Sequence, residues 1–317
     1  MASDVIVIGA GVAGLTSAIV LAERGREVEV WTCSPPSETT SALAGGLWWP
    51  YRIEPREAVG RWALRSLAVM TGLAGRPAET GVRLVGGTHA GLAPAELGAW
   101  AAGVPGLRAV QADRLPRGYD RGVHACVPLL DMATHLAYLQ RRLAAAGGSV
   151  VVRPVSSLSQ PARAARLVVN CAGLGARHLV PDPSVHPVRG QLVVVEDPGI
   201  DEWFTVVTDG RADPLYVLPQ PYGVVLGGTA GEHVWDRTPS PCTAQAIIGR
   251  CSRVFPRLGQ ARVLAHRVGL RPARPRVRLE AERLPCGTRV VHNYGHGGAG
   301  ITVSWGCALE AADLAEG

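Results

Sequence analysis

The sequence predicts an α/β fold: a doubly wound domain that binds a dinucleotide, interleaved with an α+β domain built on an antiparallel sheet. Three observations predict it. A glycine turn joins an apolar strand to a helix at the start of the chain, strands run into glycines again near residue 172 and near residue 297, and β-branched runs punctuated by Pro and Gly lie between those two places.

The opening βαβ segment is Ile6 to Val30. Gly9, Gly11 and Gly14 follow the apolar run Val5 to Ile8 in G-x-G-x-x-G spacing, with Ala10, Val12 and Ala13 between them, and a helix-forming series from Leu15 to Glu23 comes next. Gly9 permits the tight turn, Gly11 lets a pyrophosphate reach the backbone, and Gly14 lets helix and strand pack closely. The exposed N–H groups and the positive end of the helix hold the anion. This Rossmann-type turn serves NAD, NADP and FAD alike, so it leaves the cofactor open. The acidic side chain usual at the end of the second strand is missing: the chain reads Thr32, Cys33, Ser34, and a hydroxyl of Thr32 or Ser34 is the available substitute.

Ser34 to Pro55 is a loop by composition that carries Trp48, Trp49 and Tyr51, which either pack beneath it or line a flat ring cofactor. Apolar residues at helical spacing predict a helix from Arg56 to Leu73. Residues 81–100 and 107–127 read as short β-like, turn-rich pieces. Asp131 precedes a helix stopped by Gly147 and Gly148. Strands follow at Ser149 to Val155 and at Leu167 to Cys171, the latter entering Ala172, Gly173 and Gly175. Strand-like runs fill Val185 to Leu226, a helix follows from Thr243 to Phe255 with Ser240 or Thr243 as cap, and a strand at Arg262 to Val268 leads into LRPARPRVRLEAE. The last strand, Arg289 to Asn293, enters glycines and a final helix. This pattern divides the chain into a discontinuous nucleotide domain, 1–75, 128–180 and 285–317, and a substrate domain, 76–127 and 181–284.

The 317 residues are 47% hydrophobic and 18% charged, enough material for one large or two interleaved domains. No apolar run reaches the length of a membrane span and no signal or sorting sequence is evident, so no membrane partner is expected and a cytoplasmic location is the expectation. Seven scattered cysteines without a C-x-x-C pair argue against a metal site and a disulfide framework. The net charge of +6 is carried by arginine alone, the chain having no lysine, which excludes a Schiff-base lysine and any lysine ammonium beside a flavin. The arginines are dispersed without interleaved aromatics, so no nucleic-acid partner is expected.

GAGVAGL at Gly9 to Leu15, AGGLWWPY at Ala44 to Tyr51, VNCAG at Val169 to Gly173, RGQ at Arg189 to Gln191, LGG at Leu226 to Gly228, GLRPARPRVRLE at Gly269 to Glu280 and HNYGHGGAGITVSWGCALEAA at His292 to Ala312 together resemble the D-amino acid oxidase and D-aspartate oxidase family of FAD enzymes, over nearly the whole length. The resemblance implies FAD, reached by the first glycine turn, by Thr40 and Ser41, by Gly45, Gly46 and Leu47, by the backbone near Val155 and Ala172, and by Gly297, Gly298, Ala299, Gly300, Ile301 and Thr302. It implies that Arg274 binds the substrate carboxylate, that Tyr216 adds a hydroxyl to it, that the Gly298 carbonyl receives the substrate amine, and that Tyr51 stands with them. A guanidinium fork suits a carboxylate, a charge-assisted pair of this kind contributing about 1.5 to 3 kcal/mol. His292 and His296 are expected to be structural.

The activity implied is hydride transfer from the Cα of a D-amino acid to flavin N5, giving a 2-oxo acid and ammonia after hydrolysis, with the electrons passing to oxygen as hydrogen peroxide. The second active-site tyrosine of animal members is replaced by Ala212 in a shorter loop from Thr208. Asp209 stands where D-aspartate oxidases place an arginine, so neutral or basic side chains are expected over acidic ones, with Arg211 nearby. The alternatives are D-aspartate oxidation, oxidation of glycine or N-methylated amino acids, a flavin-dependent dehydrogenase, and an idle flavin-binding protein. A homodimer is the assembly kept open.

Overall fold

The structure is a computed structural model of the chain and describes residues 3–206 and 213–317. Ala212, Asp209, Arg211 and Thr208, on which the expectations about the shortened loop and the acidic substrates rest, lie outside the described residues.

The strands are β1 (Val5–Ile8), β2 (Val28–Thr32), β3 (Val82–Ala90), β4 (Arg108–Ala109), β5 (Gly122–Leu130), β6 (Ser149–Val152), β7 (Leu167–Asn170), β8 (His186–Val195), β9 (Trp203–Val206), β10 (Leu215–Gln220), β11 (Gly223–Gly227), β12 (Gly231–Glu232), β13 (Val263–Arg283) and β14 (Arg289–His296). The longer helices are α1 (Val12–Glu23), α2 (Arg56–Leu73), α3 (Met132–Ala145), α4 (Pro241–Val254) and α5 (Gly300–Glu316).

One end of the sheet is parallel, in the order β14-β7-β1-β2-β6, and its strands β1 and β7 are buried apolar runs. Strands of this kind need both faces covered, which is why they read as continuous rather than alternating hydrophobic segments. Helices α1, α3 and α5 pack on these strands, and α2 packs on α5. Gly306 of α5 is pressed onto α2, where a Cβ would stand 2.2 Å from the Trp62 carbonyl oxygen. At the other end β9, β10, β11, β8, β13 and β14 pair antiparallel in turn, and β3 and β5 extend the sheet beyond β9.

The two ends form one continuous sheet, where the sequence suggested two separate ones. The join is β13, a single strand of 21 residues. Its first part pairs with β8 as far as Ala273, which faces His186 on that side and His296 of β14 on the other, and after a register irregularity its last part pairs with β14 from Arg278 onward. Bulges bend a strand and re-aim its side chains.

Helix α2 has the bounds its periodicity predicts, and the Asp131 carboxylate caps α3 by accepting from the Ala133 N–H at 3.2 Å. Ser240 rather than Thr243 caps α4, its hydroxyl accepting from the Thr243 N–H. The stretches around 81–100 and 107–127 hold two nine-residue strands, β3 and β5, paired along their full lengths. Strand β6 ends at Val152, three residues before the expected Val155. No helix among the described residues is long and apolar enough to cross a membrane, and none of their His, Cys, Asp and Glu side chains form a metal-binding group.

Candidate active site

The turn between β1 and α1 is made of backbone at contact distance. Gly9 has φ +101, and a Cβ there would stand 2.5 Å from the Cys171 carbonyl oxygen; a Cβ on Gly14 would stand 1.8 Å from the Gly9 oxygen. No other residue fits either position. Helix α1 opens without an acidic residue in its first turn, so nothing on the helix neutralises its positive end. One first-turn donor is taken: the Val12 N–H donates to Ser41 Oγ at 3.0 Å. These residues fit the pyrophosphate of a dinucleotide, since glycines leave the backbone open to it and the helix end favours its charge.

Hydroxyls in the segments expected to reach the cofactor are bonded within the protein. Thr40 donates to the Leu270 carbonyl at 3.2 Å, which ties its loop to β13. Thr302 donates to the Trp49 carbonyl and accepts from the Trp49 N–H, fixing the aromatic loop to α5. Thr32 donates to the Ser34 carbonyl at 2.8 Å, while Cys33 is exposed. Gly45 and Gly46 lie against β10 and β5: a Cβ on Gly46, at φ +88, would stand 2.1 Å from the Leu130 oxygen, and Gln220 donates to both the Gly45 and Leu130 carbonyls. Leu47 bridges to Leu129. Val155 and Ala172 pack with Ile8 and Trp31 at the carboxyl end of the parallel strands, where open α/β sheets take ligands.

Of the three loop aromatics, Trp48 and Trp49 are buried. Trp48 packs edge-on against Trp100, and Trp49 packs against Trp203 and His89. Tyr51 is half-buried, and its hydroxyl is buried without a hydrogen-bond partner among the described residues. His89 is held neutral, burial bringing it down to about 4. Burial does the same to His296, which meets Asn293, and His292 is fixed between Asn170 and Glu282, so both behave as structural groups.

The guanidinium that meets Tyr216 belongs to Arg271, not to Arg274. The side chain of Arg271 lies 3.4 Å from where a Cβ on Gly298 would stand, and Tyr51 lies 3.9 Å from the same point. Gly190 makes room for the guanidinium, and Gly227 and Gly228 make room for the Tyr216 ring: Cβ atoms at these positions would stand 2.4, 1.8 and 2.7 Å from the side chain each one accommodates. Arg271 donates one Nη1 bond to the Thr229 carbonyl at 2.8 Å. Burial raises the Tyr216 phenol above its ordinary range, and the Arg271 charge beside it opposes that rise.

Arg274, expected from the resemblance to bind the substrate carboxylate, lies apart from this cluster. Its Nε pairs with Asp182 at 2.9 Å and its Nη1 donates to the Arg276 carbonyl. Burial works against the Asp182 charge, but hydrogen bonds from Ser184, Tyr294 and Arg274 bring its pKa down to about 2. The physical reason is strand geometry. Residues an odd number apart on a regular strand face opposite ways, and Arg274 follows Ala273, where the register shifts; its side chain ends on Asp182 while that of Arg271 ends on Tyr216. That alternation was the signal available in the RPAR segment, but it could not say which face holds the site. A cavity of about 540 Å³ lined by Ser157, Arg278, Glu282 and Cys286 shares no residue with the Arg271 cluster.

A Gly-cradled turn that fits a dinucleotide and an arginine–tyrosine cluster, carried on one continuous sheet, define a dinucleotide-binding α/β class. The FAD dependent oxidoreductase family model DAO matches residues 4–314, and the chain belongs to that family. It is 55% identical over 313 residues to a D-amino-acid oxidase of Streptomyces coelicolor, covering 98% of this chain and 96% of the relative. It is 49% identical to a D-amino-acid oxidase of Rubrobacter xylanophilus, covering 98% and 95%. Among solved structures it is similar to glycine oxidase of Geobacillus kaustophilus, with a TM-score of 0.80 at 21% identity over 99% of this chain and 94% of that one, a likeness of fold.

Proposed function

We propose that the protein oxidises D-amino acids to 2-oxo acids and ammonia with FAD as cofactor and oxygen as electron acceptor. The observation that carries this reading is the convergence of Arg271, Tyr216, Tyr51 and Gly298 from four separate parts of the chain. The identities of the D-amino-acid oxidase relatives support it.

On this reading Arg271 grips the α-carboxylate. Its Nη1 already donates to Thr229, so the guanidinium is oriented before substrate arrives and little rotamer freedom is lost on binding. Tyr216 donates its hydroxyl to the same carboxylate, and its raised pKa keeps the phenol protonated for that purpose at neutral pH. The Gly298 carbonyl accepts from the substrate amine. The unpartnered Tyr51 hydroxyl faces a polar group of the substrate that the protein itself does not supply. Bound FAD supplies the acceptor for the hydride that leaves Cα. The chain's contribution is positioning, holding both ends of a zwitterion so that Cα has one orientation.

The same reading keeps the discontinuous nucleotide domain at 1–75, 128–180 and 285–317, with 76–127 and 181–284 as the substrate domain. It places the protein in the cytoplasm, a location supported by seven free cysteines, and a homodimer is tested by light scattering. The test of activity is peroxide release over a panel of D- and L-amino acids by the flavin-loaded protein. The expected result is turnover of D-enantiomers alone; turnover of L-amino acids or of glycine in preference would overturn the proposal.

A further inference from the structure

Arg52 adjoins this site without belonging to the cluster. It holds φ +44, a left-handed conformation that costs an arginine energy and that glycine or asparagine adopts with less strain. Its guanidinium stands 5.2 Å from the centre of the Tyr51 ring, and the side chain is exposed. A Tyr51 ring carbon lies 3.9 Å from where a Cβ on Gly298 would stand, so one ring neighbours both the Arg52 charge and the place where Arg271, Tyr216 and Gly298 meet. The nearest acidic residue in sequence, Glu54, is engaged by Arg56 at 3.1 Å through the side chain and at 2.8 Å through the N–H. Among the described residues no carboxylate lies within ion-pair distance of Arg52, so its charge is uncompensated at that range.

We propose that Arg52 is a specificity-determining residue: a fixed positive charge at the rim of the site that favours substrates with an anionic side chain and disfavours those with a cationic one. The inference rests on the functional reading above and deepens it. Arg271 satisfies the α-carboxylate common to every amino acid, so a second guanidinium beside Tyr51 acts on what differs between them. The strained backbone supports a role, because a residue held at positive φ without a glycine persists only where its surroundings over-determine it. The direction is opposite to the preference for basic side chains expected from Asp209, a residue outside the described ones.

The test compares wild type, Arg52→Asn, which removes the charge and tolerates the left-handed backbone, and Arg52→Lys, which keeps the charge. Each flavin-loaded enzyme is assayed at one pH for kcat/KM with D-glutamate, D-methionine and D-lysine, at low and at high salt. A charge near 10 Å at a solvated rim shifts each charged substrate by about threefold, so the D-glutamate to D-lysine ratio falls by about tenfold in Arg52→Asn. The ratio recovers in Arg52→Lys, shrinks in wild type at high salt, and D-methionine changes less than either charged substrate. A ratio within about twofold of wild type in Arg52→Asn, or an equal fall in Arg52→Lys, overturns the proposal while leaving D-amino acid oxidation standing. Wild-type enzyme that carries flavin yet releases no peroxide with any D-amino acid overturns the functional reading and this inference with it.

Discussion

The two ends of the sheet make their sites from different materials. At the parallel end the turn after β1 is built from backbone, and its requirement is the absence of side chains at Gly9 and Gly14. At the antiparallel end the cluster is built from side chains, and glycines 190, 227 and 228 are spaces left for Arg271 and Tyr216. A backbone site tolerates almost no substitution at its contact points, whereas a side-chain site loses function by degrees and leaves the fold standing.

That contrast is sharpest at Gly14. A methyl group there would meet the Gly9 oxygen 1.8 Å away, a backbone atom that cannot move aside without opening the turn. Gly14→Ala is expected to cost about 3 kcal/mol and to abolish flavin retention, read by the urea midpoint and by bound flavin absorbance. An unchanged midpoint with flavin bound would break the comparison at its root.

Next come the two arginines of β13. Arg271→Met is expected to lower kcat/KM by about 100-fold while flavin stays bound, the loss of one charge-assisted pair. Arg274→Met is expected to leave kcat/KM nearly intact and to lower stability by about 1 kcal/mol, because the buried Asp182 carboxylate loses its ion pair but keeps its Ser184 and Tyr294 hydrogen bonds. If the two variants exchanged these outcomes, Arg274 would be the substrate ligand after all.

The Asp182 pair also sets an acid limit. Its folded pKa, about 2, lies below the ordinary 3.8, so the stability it contributes is complete above pH 4 and is lost as pH falls from there toward 2. The amount is about 2 kcal/mol in wild type and smaller in Arg274→Met, measured as urea midpoints between pH 5 and pH 2. The smallest effect belongs to Tyr216→Phe, which removes one hydroxyl and keeps the ring against Gly227: a fall in kcat/KM of about tenfold or less, with stability unchanged.

Much of the parallel end was legible in the residues. The strand–glycine–helix spacing at Gly9, Gly11 and Gly14 names its own geometry because sterics within a few residues decide it, and the period of apolar residues set the bounds of α2 for the same local reason. The aromatic loop was legible only in part. Composition left Trp48, Trp49 and Tyr51 with two readings, and the structure divides them, packing the two tryptophans into the core and leaving the Tyr51 hydroxyl without a partner. The protein partners of the Thr40 and Thr302 hydroxyls, the Leu270 and Trp49 carbonyls, could not be read from the sequence because they lie 230 and 253 residues away.

The amino-acid sequence alone determined the nucleotide turn, the cofactor class that its resemblance implies, the helices and the β-rich character of the middle of the chain, since each depends on neighbours close along the backbone. Only the tertiary structure decided which arginine meets Tyr216. That choice depends on how β13 passes from β8 to β14 and on glycines brought up from residues 190, 227, 228 and 298, and long-range packing of that kind leaves no mark in local spacing.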